Sequence, residues 1–61
     1  SKDEKIRNQE RIVRVFERKL NRVTEKIRSG TAADIDVLEA RASLLEAMQI
    51  LEELRLPVTK D

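Results

Sequence analysis

Apolar residues recur at every seventh position, Ile6, Val13, Leu20 and Ile27, and Gln9, Phe16 and Val23 follow the first three at a distance of three. On a helix this spacing draws one seam along about three heptads, the pattern by which one helix lies along another. Gln9 is the polar member of the seam. It reads either as a frayed end facing water or as a polar contact that sets register against the partner helix. Ser1 and Glu4 stand at capping-box spacing, so the first helix is predicted over about residues 2–29.

The seam runs into Gly30, the only glycine of the chain. A glycine there can take the left-handed conformation that closes a helix, and Thr31 with Asp34 repeats the capping-box spacing at once. A turn at Gly30 and Thr31 is therefore expected. The second helix is predicted over about residues 32–56, because Pro57 offers no amide donor and restricts the residue before it. The rival is one long helix bent at Gly30. Carrying the heptad across keeps Val37, Leu44 and Leu51 in line but places Asp34, Arg41 and Arg55 with Met48 in the other half of the seam. Three seam charges are costly. A connection this short joins antiparallel neighbours, so the prediction is an all-α, two-helix antiparallel hairpin about 40 Å long. It forms one domain over residues 1–61 with a short tail at 57–61.

The second helix carries more apolar surface than one partner covers. Val37, Ala40, Leu44, Ala47, Leu51 and Leu54 make one stripe, and Leu38, Leu45, Met48 and Leu56 widen it on a flank to roughly 200°. A core of 61 residues rarely supplies more than ~3–5 kcal/mol, and this chain has no Cys for a disulfide and neither His nor Cys for structural zinc. Oligomerisation is the remaining support. Leaving the four flank residues wet forgoes ~6–12 kcal/mol as an upper figure, against about 8 for micromolar association. Two hairpins joined as a four-helix bundle or coiled-coil oligomer, a dimer first of all, are the expected assembly. Another helical protein is the other partner expected of such a face. A tail folded over the flank is the competing solution, but it offers little beyond Val58.

Charge is divided between the halves. Residues 1–29 hold ten Lys or Arg and five Asp or Glu, +5, whereas residues 30–61 hold three and seven, −4; together these give the formal net charge of +1. Arg7, Arg11, Arg14 and Arg18 form a row opposite the apolar seam, with Arg28 further along the same side. Such rows neutralise phosphates in nucleic-acid binders, so a polyanion site is the second functional expectation. Glu4, Glu10, Glu17 and Glu25 lie close by, and no aromatic side chain is available to stack on a base. A solvated or inter-subunit ion-pair face is the plainer reading.

Catalysis is not expected. Without Cys, His or Tyr the commonest nucleophiles and proton shuttles are missing, and the Ser and Thr hydroxyls have no evident base. Glu39, Glu46 and Glu53, spaced by sevens, read as a solvated face, because no His completes a di-metal helical motif. No cofactor or metal is called for. No apolar run reaches the ~18 residues of a membrane span, and the polar start lacks a signal-peptide core, so the chain reads as soluble and cytoplasmic by default. It opens on Ser rather than Met, as a processed protein or a segment of a longer one does.

Gly30-Thr31, then Asp36-Val37-Leu38-Glu39-Ala40 and Leu44-Leu45 with Ala47, resembles the segment at the periplasmic hairpin tips of TolC-like outer-membrane efflux proteins. The likeness spans about residues 27–54. It implies that a glycine turn joins two long coiled-coil helices, with Gly30 and Thr31 at a tip that docks an adaptor protein and the following leucines packed between helices. The chain departs from that family at Asp34, where an apolar residue is usual, in its Arg-rich first helix and in having no β-barrel strands. The readings together predict a non-enzymatic protein–protein interaction module. Its interface residues are Ile6, Val13, Phe16, Leu20, Val23 and Ile27 from the first helix and Val37, Leu38, Leu44, Leu45, Met48, Leu51 and Leu54 from the second.

Overall fold

A computed structural model describes residues 1–57; the expectations for Val58 and the rest of the tail lie outside the described residues. Two helices account for almost all of it, α1 over Lys2–Arg28 and α2 over Asp34–Arg55. They lie side by side as a hairpin 50 × 22 × 10 Å in extent. A thickness of 10 Å is that of a single helix with its side chains. Among the described residues each helix therefore has a packed neighbour on one side only.

The Ser1 hydroxyl opens α1 by accepting the Glu4 amide at 3.3 Å, with Asp3 and Glu4 in the first turn and Lys26 and Arg28 in the last, the arrangement the helix dipole favours. At the other end Gly30 stands at φ +78°, the Gly30 amide donates to Ile27 O at 3.0 Å and the Thr31 amide to Lys26 O at 2.8 Å. These two bonds make a Schellman closure, which needs the left-handed residue that only glycine supplies without strain. The turn is where the sequence places it.

The start of α2 differs from expectation. Thr31 does not cap it and Asp34 does not complete a box. Thr31 is already committed to closing α1, through its amide and through a hydroxyl 3.2 Å from Lys26 O. The chain needs Ala32 and Ala33 to turn back, so α2 begins at Asp34 rather than Ala32, with Ala33 at the cap and the Asp36 carboxylate accepting the Ala33 amide at 3.0 Å. Half of a capping box forms, since alanine has no acceptor to return. The helix ends one residue before Leu56, whose extended backbone (ψ 141°) leads into Pro57 as the restriction before proline requires.

Between the helices the packing follows the two heptad lines. Ala40, Ala47 and Leu51 are buried, and Ile6, Val13, Phe16, Leu20, Val23, Ile27, Val37, Leu44 and Leu54 are half-buried around them. Small side chains at Ala40 and Ala47 let α1 come close. Gln9 uses that approach: it is buried to 9% exposure and its Nε2 donates to the Ala47 carbonyl at 2.9 Å. The register-setting contact is thus present. Two further links tie the open end, Arg55 to Glu10 at 2.7 Å and Lys2 Nζ to Leu56 O at 3.3 Å.

Candidate interaction surface

The exposed apolar surface is concentrated on α2. In the buried seam, Val37, Ala40, Leu44, Ala47, Leu51 and Leu54 follow one another at three- and four-residue steps. Moving each by one position gives Leu38, Arg41, Leu45, Met48, Glu52 and Arg55, a second line of the same spacing displaced by about 100° around the helix. Among the described residues nothing covers it. Leu38 and Leu45 are each 58% exposed and Met48 46%, with Ile35 beside Leu38 at the N-terminal end and Leu56 exposed at the other.

The interface residues predicted from sequence thus divide in two. All six of α1, with Val37, Leu44, Leu51 and Leu54 of α2, meet along the hairpin, whereas Leu38, Leu45 and Met48 face away from it. The two alanines, the most buried residues, stand in the stripe read from the sequence but not among its interface residues.

Five more large apolar side chains stand exposed outside those interface residues, among them Leu56, which the sequence places on the flank. Ile35 would have been found by extending the outer stripe back one helical turn from Leu38. Ile12, Val15 and Ile50 lie elsewhere: Ile12, Phe16, Ser43, Ala47 and Ile50 line a shallow groove of about 220 Å³ along the other edge of the hairpin. A seam template counts residues at two of seven positions and passes over the next position out, where Ile12 and Ile50 sit.

The outer side of α1 is mostly charged, with exposed Val15 among the charges. Arg7, Arg11, Arg14 and Arg18 are exposed, and among the described residues none has a carboxylate within 4 Å; the ion pairs present there are Arg28 with Glu25, Arg55 with Glu10 and the terminal amine with Glu4. Glu39, Glu46 and Glu53 are likewise exposed. Among the described residues no three metal-binding side chains converge, and no helix is long and apolar enough to cross a membrane. At the tip, Thr31 is exposed, held by Ser29 Oγ at 3.1 Å. Compared with protein-family models, with curated proteins and with solved structures, the chain matches none of them.

Proposed function

We propose that this hairpin is a non-enzymatic protein–protein interaction module that associates with itself through the outer face of α2. One observation carries the reading: α2 presents a second heptad-spaced line whose apolar members, Leu38, Leu45 and Met48, its own partner helix leaves about half-exposed. Contiguous apolar surface of this kind on a small chain is the ordinary mark of an interface. Full burial of a large aliphatic side chain contributes ~1.5–3 kcal/mol, so covering the exposed half of Ile35, Leu38, Leu45 and Met48 contributes ~3–6 per chain and ~6–12 for two. Micromolar affinity needs about 8 kcal/mol beyond the loss of rigid-body freedom. With at least ~4 kcal/mol lost to rigid-body freedom, the upper part of that range leaves ~5.5–7 kcal/mol, which is association at ~10–100 μM.

Sedimentation equilibrium across that concentration range tests the proposal. A concentration-dependent dimer that Leu45→Glu converts to a helical monomer supports it; a folded monomer throughout sinks it. The resemblance to TolC-like hairpin tips would add a second contact at Gly30 and Thr31, toward an adaptor. Thr31→Arg would then impair adaptor binding while leaving self-association intact.

The row Arg7, Arg11, Arg14 and Arg18 supports a second reading, binding of nucleic acid or another polyanion, because it has no ion-pair partner within the described chain. Affinity for a polyanion that falls steeply with salt, and is lost in Arg11→Glu with Arg18→Glu at unchanged helicity, would favour it. Association insensitive to those changes leaves the α2 face as the working surface.

A further inference from the structure

Resting on the reading of the α2 face as a self-association surface, we infer that the occupant of that face is the α2 helix of a second copy, crossing antiparallel about a two-fold axis between Leu45 and Met48. Along the outer line the side chains run in the order Leu38, Arg41, Leu45, Met48, Glu52, Arg55. Turned end for end about its midpoint, this line meets itself in complementary fashion. Leu45 falls opposite the partner's Met48, so the four central side chains are apolar. Arg41 falls opposite the partner's Glu52, twice by symmetry.

Leu38 falls opposite the partner's Arg55, whose guanidinium is already held by Glu10 at 2.7 Å within its own chain, leaving its aliphatic stem to lie over the leucine. A parallel crossing at the same register sets Arg41 on Arg41, Glu52 on Glu52 and Arg55 on Arg55. Like charges apposed at an interface are what excludes a wrong arrangement. Arg41, Glu52, Leu38, Leu45 and Met48 are all exposed in the single chain, so the line is open along its length.

The proposal assigns Arg41 and Glu52 a task the hairpin itself does not require. Neither makes an ion pair within the described residues. They close the two ends of the apolar centre and fix which way the partner runs.

Two experiments with the full chain test it. Because the chain has no cysteine, the single variants Arg41→Cys and Glu52→Cys can be mixed, so that one Arg41–Glu52 pair remains in each mixed dimer, then oxidised at dimer-forming concentration and the linked peptides identified by mass. Position 41 joined to position 52 of the other copy is the expected product. Links of 41 to 41 and 52 to 52 overturn the antiparallel assignment while leaving self-association standing. Separately, Arg41→Glu should weaken the dimer by about tenfold and Arg41→Glu with Glu52→Arg should restore it, at unchanged helicity. Equal affinity in all three chains overturns the inferred pairing. A wild-type chain that stays monomeric to high micromolar concentration overturns both the reading and this inference, and so is distinguishable from a failure of orientation alone.

Discussion

The two lines of α2, one residue apart and identical in spacing, have opposite fates. The inner line packs against α1 with Ala40, Ala47 and Leu51 buried; the outer line, with Leu38, Leu45 and Met48, remains open. The difference lies less in hydropathy than in shape and charge. The inner line alternates Leu or Val with Ala until its last position, so a neighbouring helix can approach closely, and it carries no charge. The outer line places Arg41 and Glu52 among its apolar residues, and these would be buried against the apolar seam of α1 without counter-charges. A buried unpaired charge costs several kcal/mol. Competition between the two lines for α1 is therefore settled by the cost of those charges.

The largest break of this comparison is on the inner line. Leu51→Ala removes a buried side chain at the open end of the hairpin and is expected to cost ~2–4 kcal/mol. With only ~3–5 kcal/mol available to a chain of this size, about 1 kcal/mol remains, read as weakened helical circular dichroism and a urea midpoint moved close to zero denaturant. If Leu51→Ala keeps the wild-type midpoint, the inner line is not what holds the hairpin. The matched change on the outer line should behave differently. Leu45→Glu alters an exposed position, so stability of the isolated hairpin should move by no more than about 0.5 kcal/mol while association is lost. Equal unfolding in both variants would show that the two lines form one core in the assembly.

How far this division can be read from the residues depends on which rule governs each. The heptad of α1, the glycine closure and the stop before Pro57 are local patterns, and each stands in the structure within a residue or so. The surplus on Leu38, Leu45 and Met48 is also visible, since it follows from counting apolar angle against the width of one partner. The start of α2 is not. A capping box at Thr31 is permitted by its spacing, but the same threonine is needed for the six-residue bond to Lys26 O, and nothing local tells which use prevails. The groove at Ile12 and Ile50 is hidden for another reason: those residues are neighbours only across the hairpin, so no single-helix periodicity joins them.

The closure itself gives a smaller break. Gly30 at φ +78° has nothing within 4 Å of where a Cβ would sit, so Gly30→Ala meets no clash and its cost is conformational alone. A left-handed alanine costs about 1–2 kcal/mol, partly offset by a stiffer unfolded chain, giving an expected loss of ~1 kcal/mol. The urea midpoint should fall with the slope unchanged. A Gly30→Ala chain as stable as wild type would point instead to the continuous-helix rival, in which residue 30 has no need of a positive φ.

Gln9 tests whether a seam can specify geometry without adding stability. Its amide donates to Ala47 O, a carbonyl whose place in the α2 ladder already gives it an amide donor, so removing Gln9 orphans no acceptor. Gln9→Leu also replaces a buried polar group by an apolar one of similar length. The change in stability should therefore be within about 1 kcal/mol, of either sign. What is lost is the penalty on every other arrangement. With Gln9, a swap of partners, or the one-heptad shift that sets it against Leu54 rather than an alanine, takes the amide away from a carbonyl it can reach; with Leu, the inner line accepts any heptad-spaced helix, including the outer line of another copy. The expected result is a hairpin of near-wild-type midpoint that populates additional oligomers, seen as a broadened sedimentation distribution. A Gln9→Leu chain with one sharp species would mean that Ala40 and Ala47 alone keep the two lines of α2 apart.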